Sequence, residues 1–185
     1  MRTGLFGGAF NPIHNGHLKV ARAAIKEANL DRLIFIPTGN APHKEETSVS
    51  RSHRFNMICA AIENEEKMSV SDYEINRNEV SYSADTVEYF KEKYPEDEIF
   101  FIIGDDSYNA LDTWHEPHRI LQSSTLLVFP RFGADVKPPA IKINMEKEEV
   151  SSSQVRKKIK LQKDFKNLLP KKVFDYIIKS NLYAE

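Results

Sequence analysis

The chain has 185 residues, enough for one domain, residues 1–185, with a full apolar core. Apolar residues make up 41% and charged residues 29%, and the formal net charge of −1 gives no overall basic field for nucleic acid. No apolar run approaches the roughly 18 residues of a membrane span, and the N-terminus enters a strand pattern without signal-peptide features, so a cytoplasmic enzyme or binding protein is expected.

Thr3–Phe6 is the first short apolar run and reads as a buried strand. It leads into Gly7-Gly8-Ala9-Phe10-Asn11-Pro12-Ile13-His14-Asn15-Gly16-His17, after which Leu18, Ala21 and Ile25 share one face of a helix. A glycine-rich turn between a strand and a helix start lets backbone N–H groups approach phosphate oxygens. His14 and His17 stand at the mouth of that helix, where each can donate an N–H to charge developing on a transferred phosphoryl group. The run lacks the Gly-Lys-Ser/Thr end of a P-loop and is not Gly-x-Gly-x-x-Gly.

Leu33–Ile36 is the second strand, followed by the loop Pro37–Lys44. Phe55, Ile58, Cys59 and Ile62 share a face of the second helix, which places the only cysteine in the core as a small packed side chain. His53 and Arg54 open that helix as a solvated or structural face. Lys67–Val70 is a further strand candidate, and Ser83 is expected to cap a third helix with Val87 and Phe90 facing inward. Ile99–Ile103 and Leu126–Phe129 read as buried strands, and Ile141 and Ile143 suggest a half-exposed one. Phe132–Pro139 is expected to be a surface loop. Val155 and Ile159 belong to a short helix after Ser151–Ser153, and Pro170 opens a last helix that buries Val173, Ile177 and Ile178.

Strand–helix alternation implies an α/β fold with a doubly wound parallel sheet. Ligands in such folds bind beyond the carboxyl ends of the strands. The opening motif, Pro37–Lys44, Gly104–Asp106 and Arg131 all follow strand ends and should converge on one edge. A second constellation is Val150-Ser151-Ser152-Ser153-Gln154-Val155-Arg156. Serines at a helix start cap it and offer hydroxyls and free N–H groups to an anion, and a first-turn guanidinium grips phosphate as a fork.

The run closing on His14-Asn15-Gly16-His17 resembles the signature of the nucleotidyltransferase superfamily, and the serine-rich helix start with Arg156 resembles its second motif. From residue 3 to residue 183 the chain is similar to bacterial nicotinate-nucleotide adenylyltransferases. Pro37–Lys44 resembles their Pro-x-x-x-Pro-Pro-His-Lys segment, with Ala41 in place of the first of two prolines. Ser81-Tyr82-Ser83-Ala84-Asp85-Thr86, Phe101–Asp106 with Leu111 and Trp114 beyond it, and Leu169 to Tyr183 resemble later segments of that family.

The resemblance implies a Rossmann-like sheet of the nucleotidylyltransferase type with a small C-terminal helical segment. It implies transfer of AMP from ATP to nicotinate mononucleotide, forming nicotinate adenine dinucleotide and pyrophosphate in NAD biosynthesis. It assigns phosphate chemistry to His14, His17, Arg156 and Lys44. It assigns ATP contacts to Gly7, Gly8, Ala9, Phe10, Asn11, Gly16, Gly104, Asp106, Ser152 and Ser153. It assigns the mononucleotide to Asn40, His43, Lys44, Thr86 and Trp114. Trp114 is read as stacking on the pyridine ring or as core packing. Thr86 is read as meeting the nicotinate carboxylate through its backbone or as an ordinary first-turn threonine. Asp106 is read as bonding a ribose hydroxyl or capping a helix. Mg²⁺ is implied, held mainly by ATP phosphates and water. No nucleic-acid or membrane partner is implied, and a homo-oligomer is left open. Nicotinamide mononucleotide or another phosphorylated acceptor, or a nucleotide-binding sensor without turnover, are the alternatives. A class I aminoacyl-tRNA synthetase is set aside: Lys67-Met68-Ser69-Val70-Ser71 lacks the second lysine of its Lys-Met-Ser-Lys-Ser loop. Two departures stand out. Asn11 occupies a place that is Asp in much of the superfamily, and Asp105 one that is usually small, where its carboxylate either alters affinity near the adenosine site or faces solvent.

Overall fold

The short apolar runs become six strands: β1 (Arg2–Gly8), β2 (Arg32–Pro37), β3 (Met68–Val70), β4 (Glu98–Gly104), β5 (Thr125–Phe129) and β6 (Ile141–Lys142). They form one sheet of order β3-β2-β1-β4-β5-β6, with every pair parallel. The helices are α1 (Asn15–Glu27), α2 (Arg51–Ile62), α3 (Ser83–Lys93), α4 (Asp105–Asn109), α5 (Pro117–Ser123), α6 (Ser152–Lys160) and α7 (Lys171–Lys179). The computed structural model describes residues 1–40, 49–147 and 149–184.

A parallel strand between two helical layers must be apolar on both faces, and β4 shows why its sequence is a continuous apolar run. Phe100 and Ile102 enter one core with Phe6, Phe35 and residues of α1, α2, α6 and α7. Ile99, Phe101 and Ile103 enter the opposite core with Val87 and Phe90 of α3 and Ile120 of α5. The strand order reverses between β1 and β4, which pair from Arg2↔Glu98 to Phe6↔Ile102. A crevice for ligands is expected at the carboxyl ends of these two strands.

The amino end of the sheet is closed by Asp97. Its carboxylate accepts from Thr3 Oγ1 at 2.6 Å, from Arg32 Nη2 at 2.7 Å and from the N-terminal amine at 3.2 Å. Burial would raise this carboxyl, but the three donors outweigh it and hold it below the usual Asp value.

Several expected positions differ. The buried face of α2 is Arg54, Met57, Ile58 and Ile62, with Phe55 half-buried, and Cys59 is exposed rather than packed in the core. The cause is Arg54, 2% exposed, which turns inward to donate to Ala9 O at 2.8 Å and Thr38 O at 2.7 Å. Arg54 is therefore a structural residue and not a solvated one. Tyr82, not Ser83, holds the N-cap position of α3, with no side-chain cap. Ile178 is 58% exposed: Val173 and Ile177 are the buried residues of α7, and Phe174 and Tyr176 pack partly buried against the same core. Ile143 is fully buried and donates its amide to Val128 O at 2.8 Å, so the edge beyond β6 is less open than its alternating sequence suggested.

Candidate active site

The glycine turn rests on aromatic rings. A Cβ on Gly8 would lie 3.0 Å from the Phe10 ring, so the strand end packs closely over that ring and a side chain there would press on it. Phe10 itself is 2% exposed with φ of 44°, and its ring meets Phe6, Phe35 and His17 edge-on, with centroids 5.5, 5.4 and 5.0 Å away.

His14 is the N-cap of α1. Its backbone N–H donates to His17 Nδ1 at 3.2 Å, and the two imidazoles stack with centroids 3.7 Å apart. A ring nitrogen that accepts a hydrogen bond carries no proton, so neutral His17 keeps its proton on Nε2. Burial, then the neighbouring His14 and Arg131, holds His17 well below the usual histidine value. The side chain is thus a neutral Nε2–H donor at the start of a helix.

A second helix start meets the first. Ser151 caps α6 by accepting from the Gln154 amide at 3.2 Å. Ser152 Oγ donates to Pro12 O at 2.9 Å, and Arg156 Nη1 donates to Asn11 O at 2.7 Å. Arg156 Nη2 also donates to Ser153 Oγ at 3.2 Å. Tyr183 OH donates to Asn11 Oδ1 at 2.7 Å in a buried contact. Asn11 therefore serves as an acceptor within the protein. The carbonyls of Ala9, Asn11 and Pro12 are each taken by a side chain from α2 or α6. Both positive helix ends meet around the same loop.

A cleft of about 760 Å³ opens at the carboxyl ends of β1 and β4. Gly7, Gly8, Ala9, Phe10 and His17 line it, with Gly104, Asp106, Thr86 and Trp114. Its lining falls into two groups by contact. One holds Gly104, Asp106 and Arg131, with Arg131 Nη1 3.4 Å from Asp106 Oδ2 and the Arg131 charge felt at His17. Asp106 is the second residue of α4, and Gly104, not Asp106, is the N-cap.

The other group surrounds Glu74, which is 7% exposed. Thr86 Oγ1 donates to Glu74 Oε1 at 2.7 Å, and the Gly39 amide donates to Oε2 at 3.2 Å. Gly39 is needed here: a Cβ would lie 2.2 Å from Glu74 O. Burial pushes the Glu74 carboxyl up, and these few donors do not offset it. The Thr86 amide is already donated to Tyr82 O at 3.2 Å. The amides of Ser83, Ala84 and Asp85 are the ones an α-helix leaves without an intrahelical acceptor. Half-buried Trp114 closes this end, edge-on to Phe101 with centroids 6.4 Å apart.

The sequence-predicted residues thus divide. Asn11, His14, Ser152, Ser153 and Arg156 gather around the glycine loop through the bonds above, and Gly16 is buried in α1. Asn40 is spent on stitching loops: its Nδ2 donates to Asn78 O at 2.7 Å, its Oδ1 accepts from Arg51, and its carbonyl accepts from the Ser81 amide at 2.8 Å. His43 and Lys44 lie outside the described residues. Asp105 does not face solvent: it is 1% exposed, because its carboxylate accepts backbone amides of Arg131 to Ala134. Glu74 and Arg54 were not read as site residues. Glu74 sits in a stretch without apolar period, and nothing local signals a buried acid there. Arg131 was legible only as a residue after a strand. Among the described residues, no group of three or more His, Cys, Asp or Glu is placed to hold a metal ion.

The parallel sheet, the glycine turn and the two histidines at a helix start define a nucleotidyltransferase-type protein, and residues 5–158 match the family model described as cytidylyltransferase-like. A "Probable nicotinate-nucleotide adenylyltransferase" of Clostridium tetani is 36% identical, with 98% of each chain covered, and one of Clostridium novyi is 37% identical over the same shares. The chain belongs to the nicotinate-nucleotide adenylyltransferase family. Its fold is also that of Plasmodium falciparum nicotinic acid mononucleotide adenylyltransferase complexed with NaAD. That structure has a TM-score of 0.82 at 24% identity, covering 98% of this chain and 97% of the other.

Proposed function

We propose that this chain transfers the AMP part of ATP to nicotinate mononucleotide, giving nicotinate adenine dinucleotide and pyrophosphate. Family membership supports the reaction, and one observation carries its chemistry. A neutral imidazole, His17, presents Nε2–H where a glycine turn and two helix starts meet. An oxygen of the mononucleotide phosphate attacks the α-phosphorus in line. The bond from that phosphorus to the oxygen bridging to the β-phosphate breaks, and pyrophosphate leaves. The attacking oxygen is already anionic, so no base is required. Catalysis is positioning and charge stabilisation.

His17 donates Nε2–H to a phosphate oxygen as charge develops, and His14 fixes its tautomer through the backbone bond at 3.2 Å. Arg156 and the start of α6 hold the glycine loop and add positive potential for the triphosphate. Mg²⁺ would be carried mainly by the ATP phosphates and water, where it would screen the triphosphate charge. At the other end, the open amides at the start of α3 favour a carboxylate on the pyridine ring, and Trp114 offers a flat face to it. Lys44 and His43 are assigned to the substrates on sequence grounds. A cytosolic setting belongs to this reading, and among the described residues no helix is long and apolar enough to cross a membrane.

The test is pyrophosphate release from ATP and Mg²⁺ with nicotinate or nicotinamide mononucleotide in parallel. Turnover with the acid well above the amide is expected. Equal rates would keep the reaction and remove the carboxylate argument at α3. ATP binding without turnover with either would replace the reading by that of a sensor.

A further inference from the structure

Three consecutive residues at the end of β4 converge on one arginine. Gly104 leaves room for the stem of Arg131: a Cβ there would lie 2.9 Å from Arg131 Cδ. Asp106 Oδ2 faces Arg131 Nη1 at 3.4 Å. Between them, Asp105 holds the backbone. Its Oδ1 accepts from the amides of Arg131 at 3.0 Å and Phe132 at 2.9 Å. Its Oδ2 accepts from Phe132 at 3.0 Å, Gly133 at 2.7 Å and Ala134 at 3.0 Å. Gly133, with φ of 89°, takes the left-handed conformation that lets successive amides curl around one carboxylate. Asp105 is 1% exposed, so this is an internal anchor and not a solvated ion pair. Arg131 lines the cleft with His17.

We propose that Asp105 is a positioning residue: its carboxylate fixes the Arg131–Ala134 turn and thereby sets the Arg131 guanidinium at the phosphate end of the cleft, beside His17. The assignment goes beyond the reaction above and rests on that reading only for its kinetic consequence. A surface loop of glycine and charged residues would otherwise leave a long cation free to point into solvent. Four amides on one buried carboxylate fix the backbone from which Arg131 rises, and the space above Gly104 and the Asp106 carboxylate at 3.4 Å then receive its side chain, which is how a cleft presents a preorganised charge. Asp105 touches no reacting atom in this scheme. It acts through Arg131.

The experiment is an NMR titration of the His17 imidazole in the ligand-free protein, for wild type, Arg131→Gln, Asp105→Asn and the double variant. Arg131 contributes to the depression of His17, so Arg131→Gln moves the His17 midpoint upward. Asp105→Asn keeps the shape but sets an NH₂ group against backbone N–H donors, so the turn opens and the guanidinium leaves. The midpoint then also moves upward. The sign is diagnostic, because loss of the carboxylate's own negative charge would move it downward. The double variant should match Arg131→Gln alone, since neighbours acting through one another are not additive.

An unchanged or lowered His17 midpoint in Asp105→Asn, a fully additive double variant, or an Arg131→Gln protein with unmoved His17 would each overturn the assignment. If Asp105→Asn does not fold, Gly133→Ala is read in its place. It strains the turn through φ alone, since nothing lies within 4 Å of its Cβ, and must move His17 upward too. In the kinetic arm, Asp105→Asn and Arg131→Gln lower kcat/KM for ATP to a similar extent, about tenfold. A wild type without adenylyl transfer would remove the proposed function and leave the titration standing.

Discussion

Glu74 lines the cleft and Asp105 lies between two residues that do, Gly104 and Asp106; both acids are buried, and their surroundings send them in opposite directions. Burial alone would raise both carboxyls. Asp105 accepts four successive backbone amides, which overcome burial and hold it below the usual Asp value. Glu74 accepts chiefly one hydroxyl and one amide, and burial wins. The carboxyl with four amides is held low, and the one with few donors, set deeper in the packed interior, is pushed up. The two ends of the cleft follow the same division. The end around His17 is built from amide, imidazole and guanidinium donors suited to phosphate. The end around Thr86 and Trp114 keeps a carboxyl of weakened acidity beneath a helix start. A fully charged carboxylate there would oppose an anionic ring substituent.

If the two ends have separate tasks, substitutions should separate turnover from mononucleotide binding. The largest effect is expected at the phosphate end. His17→Ala should lower kcat about 100-fold or more, the size of losing one preorganised donor to a developing charge, and change the KM for ATP far less. Pyrophosphate-release kinetics would decide it, and a loss confined to KM would assign His17 to ground-state binding. At the other end, Trp114→Ala should raise the KM for the mononucleotide roughly tenfold, in keeping with a lost aromatic stack of about 1–1.5 kcal/mol, and spare that for ATP. The reverse pattern would move the ring binding away from Trp114 and dissolve the division.

The end that the sequence made legible is the one built from local signals. Strand, glycine turn and helix start succeed one another within Arg2–Glu27, so His14 and His17 could be placed by order alone. The parallel sheet followed from apolar runs too short for buried helices. The residues whose surroundings the sequence left open share a different trait: their partners are distant in sequence. Arg54 is buried because Ala9 and Thr38 lend it carbonyls, and hydrophobic periodicity cannot register a cation with such partners, so the face of α2 was set wrongly and Cys59 with it. Asp105 binds amides 26 to 29 residues away, and Glu74 binds a hydroxyl from α3 and an amide beside β2. Neither environment is written in the flanking residues.

The finest test of the comparison concerns stability alone and uses the opposite signs of the two shifts. The folded protein holds the Glu74 proton more tightly than the unfolded chain. Its contribution to stability is therefore greatest in acid, and it falls as pH climbs from the ordinary Glu value, about 4.3, through the folded one. Glutamine does not titrate, so Glu74→Gln should gain on wild type as pH rises. Asp105 binds its proton less tightly when folded, so its contribution is present above the ordinary Asp value, about 3.9, and is lost as pH falls through the folded one. Asp105→Asn should therefore be most destabilised near neutrality and close on wild type in acid. Urea midpoints for the three proteins between about pH 3.5 and pH 7 would show the two differences running with opposite slopes. Parallel slopes would mean that the donors around these carboxyls do not set their charge, and that the two ends of the cleft are electrostatically alike.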